Sequence, residues 1–100
     1  MDDRRKKALH LCHADLRTGI TVTDILPKLH IDAGGFLTEL ESITIRDKKT
    51  AGNVEQVDEL VRVLATKETK DFDYFCDVLK KEGRQSYSNK LIVAAGLRGT

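Results

Sequence analysis

Val54, Val57, Leu60, Val61 and Leu64 return every three or four positions. That spacing puts them on one side of an α-helix but scatters them over both faces of a strand. The same period runs through almost the whole chain, and its interruptions coincide with glycines at Gly34-Gly35, Gly52, Gly83 and Gly96. The pattern therefore predicts a series of short helices and no sheet.

Six segments follow. The first runs from about Asp3 to Arg17, with Leu9, Cys12 and Leu16 on one stripe, flanked by Ala8 and Leu11. Asp2 with Lys6 and Asp3 with Lys7 have the spacing of favourable helix pairs. The second, near Thr23 to His30, contains the chain's one proline. A proline is tolerated in the first turn of a helix, which predicts Thr23 or Asp24 as the N-cap before Pro27. Thr38 and Glu41 have capping-box spacing, so a third helix starts there and buries Leu40, Ile43 or Ile45. Arg46 to Gly52 reads as a polar loop, and Asn53 with Gln56 opens the fourth helix, the one with the valine and leucine stripe. The fifth gathers Phe72, Phe75, Cys76 and Leu79 on one face, with Lys80 and Lys81 at its negative end and Gly83 closing it. The sixth, opened by Ser86 or Ser88, presents Leu91, Ile92 and Ala95 before Gly96.

With 100 residues, 40% of them hydrophobic and 33% charged, the chain has the size and balance of one globular domain. At this length a core suffices without a metal or disulfide staple. The longest aliphatic run, Leu91 to Ala95, is far short of the ~20 residues that span a bilayer. The N-terminus has no apolar stretch followed by a cleavage site, so the expected compartment is the cytoplasm. Cys12 and Cys76 are too few and too far apart for a disulfide framework or a zinc spacing, and reduced, buried thiols are expected. A net charge of +1 gives no global attraction to nucleic acid or to anionic lipid.

Four motifs suggest chemistry, and each has a simpler account. In Leu9-His10-Leu11-Cys12-His13-Ala14-Asp15-Leu16, helical neighbours one and two positions apart diverge by about 100° and 200°, so neither histidine can serve Cys12 as a base. His10 and His13 could share a metal, yet no further ligands are at hand, so an ordinary helix with a buried cysteine is the expected reading. Asp47 to Asp58 begins like a calcium loop but has Lys49 and Ala51 where oxygen ligands are needed, and Asp58 where a bidentate Glu belongs. Ala33-Gly34-Gly35 lacks the Gly-Lys-Ser/Thr that would hold a phosphate. Arg4-Arg5-Lys6-Lys7 could neutralise phosphates, which leaves a small nucleic-acid-binding domain as the alternative function; a solvated helix start is the simpler account.

Taken in order, Ile20-x-Val22-x-x-Ile25-Leu26-x-x-Leu29, Gly35-Phe36-Leu37-Thr38-x-x-Glu41-x-Ile43, Leu60-Val61-x-Val63-Leu64 and Asp71-Phe72-x-x-Phe75-x-x-x-Leu79-x-x-x-Gly83 resemble the caspase recruitment domain (CARD). The resemblance covers about Leu9 to Ala95. It implies an all-α fold of the death-fold superfamily: a six-helix antiparallel bundle with Greek-key topology, a first helix bent near its middle, and one domain over residues 1–100 with its core at about 5–96. It also implies a module that binds other CARD-containing proteins and itself, with no catalytic residue, cofactor, metal, small-molecule substrate, nucleic acid or membrane, serving as adaptor, sensor or caspase prodomain in apoptosis and innate immunity. Two departures stand out. The family's frequent Lys-Gly before the fifth helix is missing from Thr66 to Lys70, which points to a longer fourth helix or a changed loop. The Arg-x-Asp-Leu motif of the sister death-effector domains is absent.

In many family pairs a basic surface on the first and fourth helices meets an acidic one on the second and third. By that resemblance the acidic patch here is Asp24, Asp32, Glu39 and Glu41, and the basic patch Arg5, His13, Arg17 and Arg62, with Asp58 and Glu55 bringing opposite charge to the fourth helix. A contact between two different patches is heterologous and can propagate as a helical filament. The absence of an effector region after Leu97-Arg98-Gly99-Thr100 suggests a domain taken from a longer protein.

Overall fold

The computed structural model describes residues 1–48 and 52–97. Among these, six α-helices follow one another: α1 (Asp3–Gly19), α2 (Val22–Leu29), α3 (Glu39–Asp47), α4 (Asn53–Ala65), α5 (Thr69–Lys81) and α6 (Gln85–Ala94). A 3-10 turn, Ile31–Ala33, joins α2 to α3. Lys49 and Ala51 of the calcium-loop comparison lie outside the described residues, as do the last three positions of the chain.

Packing joins helices that are neighbours in sequence and helices that are far apart in it. α1 packs chiefly on α6 and α4, α5 on α6 and α2, and α3 on α4 and α2. This is the all-α Greek-key bundle the resemblance implies. Phe72, Phe75 and Leu79 of α5 are fully buried with Leu9 and Leu16 of α1, Leu29 of α2, Leu60 and Leu64 of α4, and Leu91 of α6. Each such side chain contributes roughly 1.5–3 kcal/mol of apolar burial. Both cysteines lie in this core, unpaired.

Several local expectations are revised. α2 begins at Val22, so Pro27 sits inside the helix rather than in its first turn. Val22, Ile25, Leu26 and Leu29 all face the core at i, i+3, i+4 and i+7, and only an earlier start keeps all four on one stripe. Neither Thr23 nor Asp24 is the cap. Asn53 of α4 supplies it from a distance: its Oδ1 accepts the Val22 N–H at 2.9 Å while its Nδ2 donates to the Ile20 carbonyl at 2.7 Å. α6 starts at Gln85, without a side-chain cap from Ser86 or Ser88, and Ser88 is buried inside the helix.

In α3 the core takes Ile45, while Leu40 is left 74% exposed. The Thr38–Glu41 capping box forms as expected, with bonds of 3.0 and 3.2 Å. On α4 the stripe narrows to Val57, Leu60 and Leu64, with Val61 at its margin and Val54 exposed. The missing glycine before α5 does not lengthen α4. The helix stops at Ala65, and Glu68 with Asp71 forms a second capping box that starts α5. Asp2 caps α1 and pairs with Arg5 rather than with Lys6, because an N-cap side chain folds back onto the first turn's own N–H groups. No Asp3–Lys7 ion pair forms among the described residues.

Candidate interaction surface

α1 and α4 lie side by side, and on their shared outer face Asp58 draws Arg17 and His13 to itself. Arg17 grips it through both carboxylate oxygens, Nε at 2.9 Å and Nη2 at 2.7 Å, and His13 Nε2 stands 2.5 Å from Oδ1. Arg62 pairs with Glu59 one turn away. Arg5, whose side chain is only 13% exposed, reaches Asp2 at 2.5 Å and Asp73 at 3.4 Å, and its guanidinium stands 5.8 Å from the centre of the Phe72 ring. Each of the four residues read as a basic patch is therefore paired with an acid, His13 and Arg17 sharing Asp58.

The Arg17 hydrogen bonds, reinforced by His13, hold the Asp58 carboxyl below its usual range against a smaller opposing effect of desolvation. A carboxyl lowered in the folded chain contributes stability that is complete above its unfolded value of about 3.9 and is lost as pH falls through the lower folded value. Urea midpoints should accordingly drop as pH is taken from about 5 to about 2. Asp58→Asn should flatten part of that drop; an equally steep fall in the variant would show that Asp58 makes no difference.

The opposite face is built by α2, the 3-10 turn and α3. Asp24, Asp32 and Glu39 are exposed on it. Half-buried His30 joins two of them, its Nε2 2.8 Å from Glu39 and its Nδ1 3.6 Å from Asp32 while accepting the Asp32 N–H at 3.1 Å. Glu41 belongs elsewhere. Both of its oxygens lie 2.8 Å from the Lys67 ammonium of the α4–α5 loop, and one closes the α3 capping box. Burial raises its carboxyl, but Lys67 and the Thr38 N–H outweigh that and leave it lowered. Glu41 is thus a structural link between α3 and the α4–α5 loop rather than a free surface acid.

Between α2 and α3 runs a groove of about 490 Å³, with Leu26, Pro27 and Ser42 among its lining together with the charged Asp32, Glu39 and Arg46. The Ser42 hydroxyl is buried without a hydrogen-bond partner among the described residues. Asp24 stands on α2 outside this lining. Ser42, His30 and Arg46 were not singled out by the sequence reading. The signal for Ser42 was its place three residues before Ile45, on the same stripe of α3.

The chemistry-bearing motif of α1 reads as an ordinary helix. Burial, with the Asp15 carboxylate, pushes the Cys12 thiol above its ordinary value, and burial pushes Cys76 up to about 12, so neither is a thiolate at neutral pH. His10 is exposed and His13 faces Asp58. Among the described residues no three His, Cys, Asp or Glu side chains could hold one metal ion, and no helix is long and apolar enough to cross a membrane. The basic run is not a simply solvated helix start. Arg4 donates to the Ala95 carbonyl at 3.1 Å and to the Gly96 carbonyl at 2.5 Å, closing the C-terminal end of α6. With Arg5 also bound, Lys6 and Lys7 are the members of the run with neither an ion pair nor a side-chain hydrogen bond among the described residues.

Neither a search of curated proteins nor one of solved structures finds a match to this chain. The family model of the caspase recruitment domain matches residues 1–94, from the cap of α1 to the end of α6. The six-helix bundle is therefore that of a protein-interaction module, and the chain belongs to the caspase recruitment domain family.

Proposed function

We propose that this domain recruits other CARDs, and further copies of itself, into cytoplasmic assemblies that signal in apoptosis or innate immunity, and that the α2–α3 face carrying Asp24, Asp32 and Glu39 is one of its two contact surfaces. The observation that carries this reading is the imbalance of that face: three exposed carboxylates, with His30 the only basic side chain paired to them among the described residues. On the α1–α4 face, by contrast, His13, Arg17 and Arg62 are each paired with an acid. An unmatched acidic face attracts a cationic partner surface and sets its orientation. A contact between unlike faces leaves the pair with one face of each kind unused, so it extends as an open chain or helical filament. Clustering would then raise the local concentration of attached effector domains. The competing reading, nucleic-acid binding by α1, is weakened by the engagement of Arg4 and Arg5 inside the fold.

Light scattering of the domain over a range of protein and salt concentrations tests this. The expected result is a mass that grows with protein concentration at low salt and shrinks as salt is added. Asp24→Lys with Glu39→Lys should weaken association at least tenfold, equivalent to about 1.4 kcal/mol, without altering the circular-dichroism spectrum. A domain that stays monomeric at low salt, or a double variant that assembles like the parent, overturns the reading. Salt-sensitive duplex binding lost in Lys6→Glu with Lys7→Glu would replace it with the rival.

A further inference from the structure

We propose that two copies of this chain form a closed, two-fold dimer through the outer face of α1 and α6, with Leu11 at its centre. This face is separate from the α2–α3 face and from the α1–α4 ion pairs, and the dimer does not depend on the assembly proposed above. Leu11 is a large aliphatic residue, 58% exposed in the middle of α1, and Val93 of α6 is 60% exposed. The fold covers neither. α1 and α6 run antiparallel, since Arg4 near the start of α1 bonds the Ala95 and Gly96 carbonyls while Asp15 near its end stands 3.9 Å from Lys90. One turn back from Asp15 is Leu11, and about one turn on from Lys90 is Val93, so both lie on the same side of that ion pair. Between the two helices is a shallow hollow of about 390 Å³, with buried Cys12, Asp15, Lys90 and Val93 in its lining.

The charges on either side of Leu11 select the occupant. Lys7 lies one turn before it and Asp15 one turn after, both exposed. Residues four apart share one face of a helix, so α1 presents a strip ordered base, apolar, acid over about 12 Å. Turned end for end, that strip is its own complement. A two-fold axis at Leu11 sets Lys7 of each copy against Asp15 of the other and brings the two Leu11 side chains together at the centre. Lys7 has neither an ion pair nor a side-chain hydrogen bond among the described residues, and the Asp15 carboxylate pairs only with half-exposed Lys90, at 3.9 Å. No close internal pair is broken when they meet.

The dimensions set the strength and the stoichiometry. The 17 residues of α1 extend about 25 Å, and two adjacent helices are about 20 Å across, so the face offers about 500 Å² per copy. A total near 1,000 Å² lies at the low end for a specific contact, which makes the dimer reversible and dependent on concentration. An isologous contact uses the same patch on both partners, so it closes at two copies and cannot extend by itself. Leu11 is about 160° around α1 from His13, so the dimer leaves the Asp58 ion pairs undisturbed and the α2–α3 face open.

Sedimentation equilibrium tests the dimer, first on the parent chain and then with Asp24→Lys and Glu39→Lys present to remove the charged-face contact. In that double variant the expected result is a monomer–dimer equilibrium with no larger species. Adding Leu11→Asp should weaken the dimer at least tenfold with unchanged thermal melting, since Leu11 is exposed in the single chain. Lys7→Glu should weaken it as well, and Lys7→Glu combined with Asp15→Lys should recover most of the loss, because both members of each intermolecular pair are then reversed. A double variant that is monomeric at every concentration, a dimer indifferent to Leu11→Asp, or a charge exchange that recovers nothing overturns the proposal. The two readings separate cleanly. A parent chain that stops at a dimer lost in Leu11→Asp supports this contact and removes the charged-face assembly, whereas a parent that grows and becomes purely monomeric in Asp24→Lys with Glu39→Lys does the reverse.

Discussion

Replacing Phe72 with alanine is expected to destabilise the fold by about 3–5 kcal/mol. The ring is fully buried in α5, within the core it shares with α1, α2, α4 and α6. Its removal forfeits both the transfer energy of a phenyl group and the contacts of the walls left around the void. It also takes away the surface over which the Arg5 guanidinium stands, and Arg5 is part of the tie between α1 and α5. A domain of this size has about 5–15 kcal/mol of stability in total, so a single truncation would remove a large share of it. Urea denaturation followed by circular dichroism reads the loss directly; a change below about 1 kcal/mol would mean that the α5 aromatics are not the centre of the core.

A methyl group at Gly35 is expected to be nearly as damaging, for a reason of backbone rather than core. A Cβ there would overlap the Leu29 carbonyl. That oxygen accepts the N–H groups of both Phe36 and Leu37 at 2.9 Å, and Ile31 N–H returns to the Leu37 carbonyl at 2.8 Å. These bonds fold the segment after α2 back on itself, bury Phe36 and Leu37 and set where α3 can begin. Gly35→Ala must push this turn apart. Overpacking of about 1–3 kcal/mol together with two disturbed hydrogen bonds near 1 kcal/mol each gives an expected loss of about 3–5 kcal/mol. Gly34 is the control, because it has open space where a Cβ would stand and its strain comes only from a positive φ of 87°. Gly34→Ala should therefore lose clearly less in the same urea titration, and equal losses would show that close approach to Leu29 is not what selects glycine at position 35.

Much of the fold was legible before any coordinate. The stripes on α1, α4 and α5 fall where the apolar period places them, and the Thr38–Glu41 box and Gly83 mark the ends expected of them. The misread elements share a cause. α2 and α6 have no local side-chain cap, so nothing within four residues marks their starts; α2 is begun by Asn53, 31 positions away. α3 offers Leu40, Ile43 and Ile45, and only the position of α4 and α2 against it selects Ile45.

The candidate surface divides the same way. The charges of Asp24, Asp32, Glu39, His13 and Arg17 could be read from the chain, but their surroundings could not. Asp58 meets Arg17 across 41 positions and His13 across 45, and Lys67 meets Glu41 across 26. The sequence by itself determined the helical period, two of the caps and the all-α class, because those depend on contacts between residues at most four apart. Only the tertiary structure decided which charges face an opposite charge and which face solvent, since Coulomb attraction acts on distance in space, and folding sets that distance without regard to order along the chain.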